Sequence, residues 1–555
     1  MARGKHISFL GNPLRLGNYR RFPLLAAIFL IPLFNTQIFF DNFAQPKWLA
    51  VYWLGCASIL TLLSFRKMAL PMFSAIQWGS IAFWLALLAV ALYRLWPLSY
   101  KTPFLDRVGF VLIAIYSYQL FKFGALRWEA LALAAVSSGF LVASLGLFQA
   151  IGSDFSNGVP YFAVSSTFGH ANMAAEFLGI CLLFSSYLFA RTPSTGRKIF
   201  FGVVSFVLAT YILVSGCRSV LLALLFALLL VWRPRSRRLR WLLPLLSIVA
   251  VLGLVKIGPE RFVTEKSANA SWRAETWKST VALISDHPNG LGVGKYEFGF
   301  VSYRNMALFR DDKVVERSPH NEFLRFLAED GIIASVLGAL SILVLLFPFF
   351  NGKRSMEKKL AFAFCGYMLV QMFFQFPFEN AVPFLFAAIF LGYMVTTQPS
   401  NFLANAYLAR IGMLALGVFF VGMTYQVSLS KYLEANNQGD RRKISRACAL
   451  LPTNWRICLE KAKLEMEAGA FQEAEVTLNE LLWQYPHHFT AAYYLGVLNF
   501  KRQNYARGCA YFSWYNRLFQ GKMIPEMDQY CVAVPRKKAI NELSPLGDLR
   551  ERQIF

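Results

Sequence analysis

Of the chain's 555 residues, 56% are hydrophobic and only 16% are charged, and its mean hydropathy is +0.43. A soluble globular protein carries roughly 25% charged residues, so that class is excluded. The formal net charge of +25 invites a nucleic-acid reading, but the basic residues flank apolar blocks and form no single patch, which excludes it.

The apolar blocks run about 17–24 residues, the length that crosses hydrocarbon as helix. Helices are required because lipid offers backbone groups no partner, and no block alternates as a barrel strand does. About thirteen spans follow, near 22–40, 48–65, 73–93, 104–121, 130–151, 172–190, 199–216, 219–232, 241–257, 332–350, 360–376, 382–396 and 406–428. The 199–232 pair is broken only by Ser215, Gly216, Cys217 and Arg218. The expected fold is all-α, a polytopic helical membrane protein of about 12–13 spans.

The basic amino terminus lacks a small-residue cleavage site, so 22–40 reads as a retained first helix. With that terminus in the cytoplasm, the inner loops hold about 22 Lys and Arg, from Arg3 to Arg410. The short outer loops hold about five: Lys47, Arg94, Lys101, Arg107 and Arg218. This positive-inside bias fixes the orientation. It leaves the segments around 152–171, 258–321 and 377–381 outside. With thirteen spans the tail is outside as well; one span fewer would return it to the cytoplasm.

Arg218 sits at the outer end of a hairpin. An arginine at membrane depth must pair, face a cavity or snorkel to headgroups, and the first two are functional. Arg273 lies in Ser271-Trp272-Arg273-Ala-Glu275-Thr-Trp277, a short amphipathic helix that serves either as a site or as an interfacial anchor. Asp286-His287-Pro288-Asn289-Gly290-Leu291-Gly292-Val293-Gly294 lacks the lysine of a P-loop and the strand–turn–helix setting of a dinucleotide site. It reads as a turn, with His287 a turn or cap residue. Asp311 and Asp312, between Arg310 and Lys313, read as a solvated ion cluster, and no metal is expected. His320, in Ser318-Pro319-His320-Asn321-Glu322, suits a general base near neutral pH; the same residues also spell a helix start. Glu322 and Arg325 are placed to pair at i,i+3.

After about residue 429 the pattern turns amphipathic and repeats every 34 residues. Pro452 recurs as Pro486, Ala462 as Gly496, Phe471 as Tyr505 and Ala474 as Gly508. This resembles tetratricopeptide repeats, with a groove for a partner protein or a packing platform as the two roles. The expected domains are 1–428 in the membrane, with a large outer loop at about 258–321, then 429–530 as helical repeats and 531–555 as a tail. Cys56, Cys181, Cys217 and Cys365 read as apolar fillers. Cys448, Cys458, Cys509 and Cys531 allow three disulfide pairings if the tail is outside.

Ser-Gly-Cys-Arg218-Ser, Arg273-x-x-x-Trp277, Pro288-x-Gly-x-Gly-x-Gly294 and His320-Asn321-x-x-Leu324-x-x-x-Ala328-Glu329-x-Gly331 resemble the ordered signature of bacterial O-antigen ligases. Their superfamily includes Wzy-type polysaccharide polymerases and protein O-oligosaccharyltransferases. The resemblance spans roughly 160–400. It extends to the turn Ser166-Thr-Phe-Gly169-His170-Ala-Asn172, where an Asn is commoner at the place of His170. The tail is not part of the ligase core, and the usual span count is about twelve.

The resemblance implies a GT-C-like glycosyltransferase at the periplasmic face of the bacterial inner membrane, needing no cofactor. It would move a glycan from undecaprenyl diphosphate to lipid A-core with inversion and without metal. His320 would act as base; Arg218 and Arg273 would hold the diphosphate; Asn321, His170 and Asn172 would bind substrate. Protein transfer and chain polymerisation are the sister activities. A transporter would place its charges nearer mid-membrane, and a scaffold would leave His320 and the arginines without a role.

Overall fold

The computed structural model describes residues 19–36, 38–39, 41–65, 68–74, 76–77, 79, 81–82, 101–151, 164–231, 260–304, 317–350, 355–398, 400–403, 407–518 and 531. The expected span 241–257, most of 73–93, the Asp311–Asp312 cluster and the tail beyond Cys531 lie outside the described residues.

Helix α1 (Phe22–Leu30) begins with a proline in its first turn, where the fixed φ suits a helix. The span expected over 22–40 is shorter than read. After a 3-10 turn at Ile31–Leu33, Phe34 turns extended (φ −65°, ψ 118°). The freed carbonyls are gathered by the buried Lys47 ammonium, which donates to Phe34 O (2.6 Å), Phe43 O (3.0 Å) and Thr167 O (2.6 Å). Lys47 belongs to α2 (Ala44–Leu63). Next come β1 (Met68–Pro71), α3 (Lys101–Lys122), α4 (Trp128–Ala150), α5 (Ala171–Arg191), α6 (Thr195–Ser215) and α7 (Arg218–Val231). The doubtful 199–232 pair is two helices: Gly216, at φ +64°, closes α6 in the left-handed region that glycine enters freely.

The outer loop departs most from expectation. Its first half is α8 (Glu260–Asp286), 27 residues long, where the sequence predicted only a short helix around Trp272. It is followed by α9 (Tyr296–Gly299), α10 (Glu322–Asp330), α11 (Ile332–Phe350), α12 (Met356–Phe374), α13 (Ala381–Val395), β2 (Ser400–Leu403) and α14 (Tyr407–Ala435). Among the described residues, seven helices are at least 18 residues long and apolar enough to cross a membrane; α7 and α13 are shorter apolar helices. The protein is a multi-pass, almost wholly helical membrane protein. The all-α expectation holds; the one small sheet among the described residues pairs β1 and β2 antiparallel, Met68 against Leu403 and Pro71 against Ser400.

Small residues let the helices close up. A Cβ on Gly392 of α13 would lie 2.4 Å from the Ala114 carbonyl oxygen of α3, and one on Gly179 of α5 would meet the Tyr367 hydroxyl of α12. The buried Tyr367 hydroxyl donates to the Glu176 carbonyl oxygen (2.7 Å). Helix α3 ties the two ends of the bundle together. Its Arg107 pairs with Asp330 at the end carrying α10 (2.8 Å). Its Gln119, about 18 Å further along the axis, bonds both backbone groups of Ala69 in β1 (3.0 and 2.7 Å).

The tail comprises α15 (Arg441–Leu450), α16 (Trp455–Glu467), α17 (Phe471–Gln484), α18 (Phe489–Lys501) and α19 (Tyr505–Leu518). Helix starts recur at the sequence period: Trp455 with Phe489, Phe471 with Tyr505. The small repeat positions are crossing points; a Cβ on Gly496 would sit 2.7 Å from the Phe512 ring. Disulfides join Cys448 to Cys458 and Cys509 to Cys531.

The tail rests on the membrane domain in part through an aromatic knob, while Leu451 packs with Leu49, Tyr52 and Phe420. Phe298 of α9, only 3% exposed, stacks on His488 (ring centroids 4.4 Å apart) and touches Tyr485 (4.9 Å) and Trp455 (5.6 Å). Phe298→Ala is expected to remove about 3–5 kcal/mol of packing and to open the tail to limited proteolysis. Unchanged protection would show that the other contacts, such as Asn454 to Glu434 (2.6 Å), hold the tail without it.

Candidate active site

Helix α10 is the base of the site. Asn321 caps it, its side-chain oxygen accepting from Leu324 N (3.1 Å). Its far end is clasped by the glycine-rich turn: Leu291 N donates to Ala328 O, Gly292 N to Glu329 O and Ile332 N to Pro288 O, each at 2.9 Å. The Glu329 carboxylate accepts from Gly294 N (3.0 Å) and Tyr296 N (3.3 Å). The Pro288–Gly294 and Glu329–Gly331 motifs are thus two halves of one fastening. His287 is a turn residue as read, its carbonyl accepting from Gly290 N (2.9 Å).

Gly290 and Gly331 both have positive φ, and a Cβ on Gly331 would lie 2.6 Å from the Asn289 carbonyl carbon. Gly331→Ala is expected to cost about 1–3 kcal/mol, read as a lower melting temperature in detergent. An unchanged melting temperature would mean that the clasp yields.

Beneath α10 a buried charge cluster forms. Arg325 pairs with Glu322 as predicted, and reaches Glu379 (3.3 Å) and Glu329 (3.7 Å). Burial opposes the Arg325 charge, but Glu322, Glu379 and Glu329 outweigh it and push its pKa up. Burial raises Glu329 and Glu379 to about 7 each, against the pull of Arg325.

His320 precedes the cap at φ +52°, left-handed and unfavourable for a residue with a Cβ. Its half-buried ring stands between Trp272 (centroids 5.3 Å) and Phe376 (5.1 Å). Its Nδ1 has no hydrogen-bond partner among the described residues. Burial first, then the charges of Arg273 and His170, lower its pKa to about 4. The imidazole is therefore neutral at pH 7, and the same burial and charges make it a weak base while the site holds no anion.

Arg273 acts on a second group. Its charge also reaches the buried Cys217 thiol, whose pKa burial raises, and Arg218 is the next residue. Burial lowers the pKa of Arg273 below the ordinary arginine value. His170 caps α5, its Nδ1 accepting from Asn172 N (3.1 Å), and burial lowers its pKa too. Electrostatic coupling thus ties His320 to Arg273 and His170, and Arg273 to the turn carrying Arg218. Asn321 spends its side-chain oxygen on the cap, and Asn172 is half-buried beside His170.

Sequence reasoning missed Phe376, Glu379 and the pair in which Asn380 donates to the buried Glu176 carboxylate (3.2 Å). A Phe-Glu-Asn run between two apolar spans was the available signal.

A cavity of about 2260 Å³ reaches α10 as well. Apolar residues of α3, α11 and α13 line much of it; its charged lining includes Arg107, Lys295 and Arg325 together with the carboxylates Asp106, Glu329 and Glu379. His320, Arg218 and Arg273 are not among its lining residues.

Residues 201–339, a quarter of the chain, match the protein-family model described as O-Antigen ligase. The match contains Arg218, Arg273, the glycine-rich turn and His320, and it supports kinship with membrane ligases and polymerases of that superfamily. No curated protein matches the chain.

Proposed function

We propose that the protein is a membrane glycosyltransferase of the O-antigen ligase class, transferring a glycan from undecaprenyl diphosphate to lipid A-core without metal. The observation that carries this reading is the coupling of a neutral His320, whose Nδ1 has no hydrogen-bond partner among the described residues, to Arg273, and of Arg273 to the Cys217–Arg218 turn. In this reading the acceptor hydroxyl passes its proton to His320 as its oxygen attacks the anomeric carbon. The bond from that carbon to the diphosphate breaks with inversion, and Arg218 and Arg273 hold the leaving diphosphate as charge develops.

The long apolar cavity beside α10 suits a substrate with a hydrocarbon chain. The positive-inside bias and the two tail disulfides, which persist in oxidising compartments, support a periplasmic site in the inner membrane. The 34-residue helical hairpins support tetratricopeptide-like repeats in 429–530. Their seating on Phe298 favours a wall of the site over a free protein-binding arm.

The test is purified protein with undecaprenyl-diphosphate-linked glycan, lipid A-core and a candidate acceptor protein. Glycan on lipid A-core supports the reading. Glycan on protein, or longer lipid-linked chains, assigns a sister activity, and no transfer overturns it.

The pH dependence is a further check. kcat/KM, which reports the free enzyme, is expected to hold down to about pH 4 and fall below it, as His320 protonates. In kcat the same limb should lie higher, because a bound diphosphate offsets the Arg273 charge. Coincident limbs would remove the contact between diphosphate and Arg273.

A further inference from the structure

His320 combines an unfavourable backbone conformation (φ +52°) with an imidazole whose Nδ1 no described residue holds. The Trp272 and Phe376 rings meet it edge-on, at 72° and 61° to its plane, but ring contacts are weakly directional and do not fix a backbone. On the C-terminal side, the Asn321 cap fixes the chain. On the N-terminal side, Ser318 is buried with its hydroxyl unpartnered among the described residues, so it is not the anchor. The anchor is the next peptide: the indole Nε1–H of Trp277 donates to Pro319 O at 2.8 Å. Trp277 lies on α8 four residues after Arg273, one helical turn away and on the same side of the helix. One rung of α8 therefore supplies both the cation acting on His320 and the clamp on the peptide before it.

We infer that Trp277 is a positioning residue for His320, its indole N–H holding the Pro319 carbonyl so that the imidazole keeps its left-handed seat at a fixed distance from Arg273. The catalytic consequence rests on the role proposed for His320; the positional one does not. The groups acting on the imidazole from neighbouring elements are Arg273 of α8 and His170 at the start of α5. Loosening Pro319 lets the ring move away from them and toward solvent.

The test removes the N–H while keeping the ring. Trp277 is replaced by benzothienylalanine, which has sulfur in place of N–H, by 7-azatryptophan, which keeps the N–H, and by phenylalanine (W277F). Benzothienylalanine and W277F are expected to lower kcat about tenfold with KM for both substrates nearly unchanged, the scale of one hydrogen bond. The azatryptophan protein should match the wild type.

Carbethoxylation of His320 against pH, read by peptide mass spectrometry, needs no transferase activity and so separates this inference from the proposed reaction. Its midpoint should rise from about 4 when the N–H is lost. Wild-type kcat and an unmoved His320 midpoint in the benzothienylalanine protein would overturn the inference. Equal impairment by azatryptophan would also do so, because the ring's packing on Phe374 (6.5 Å) would then be what matters. If W277F fails to fold, the two isosteric replacements decide alone.

Discussion

His320→Ala is expected to lower glycan transfer by about 10²–10⁴-fold, the usual contribution of a positioned general base, while the protein still folds and inserts. Removing the imidazole leaves the α10 fastening untouched: the Asn321 cap, the Gly290–Gly331 clasp and the Arg325 cluster do not use it. Alanine also relieves no steric conflict, since the left-handed φ of +52° persists at that position. The loss should therefore appear in kcat, with the melting temperature close to that of the wild type. His320→Gln keeps hydrogen-bonding capacity but accepts no proton near neutral pH, and should be nearly as slow. Transfer at the wild-type rate by either variant would remove the base assignment and leave His320 as part of the helix start that its sequence also spells.

The features legible in the sequence are those written in local pattern. Apolar blocks marked the helices, Gly216 marked the break between α6 and α7, and the 34-residue period marked the helix starts of the tail. The order of Arg218, Arg273 and His320 was legible as a motif, although not the coupling of Arg273 to His320. Features built from distant residues were not legible. β1 meets β2 across more than 300 residues of chain, and neither strand is long enough to show a period. Phe298 looks like any aromatic in a polar loop until Trp455, Tyr485 and His488 enclose it. The glycine-rich turn read correctly as a turn, but its partner Glu329 lies 35 residues on, beyond any local rule. Helix α8 was underestimated because its first two turns, Glu260 to Ser267, are mostly polar or charged and hold only the adjacent pair Phe262 and Val263 as apolar residues, too few to show a period.

Arg273→Ala should produce the second large loss, about 10²–10³-fold in transfer, the scale of removing one fixed donor from a developing anion. It should also change the base, and the sign is fixed. Arg273 disfavours the charged imidazole, so its removal must raise the His320 pKa above about 4. Burial and His170 still act, which keeps the pKa below the ordinary histidine value. The acid limb of kcat/KM should move to higher pH accordingly. Arg273→Lys keeps the charge and so should keep the limb, yet it loses the planar fork suited to a phosphate and should recover only part of the rate. Arg218→Ala should lower transfer by a similar factor without moving the limb, because Arg218 is not among the groups acting on His320. If both arginines hold one diphosphate, the double variant should be little slower than the slower single variant. Strictly multiplicative losses would place the two arginines on different charges, and a limb unmoved in Arg273→Ala would separate that arginine from the base.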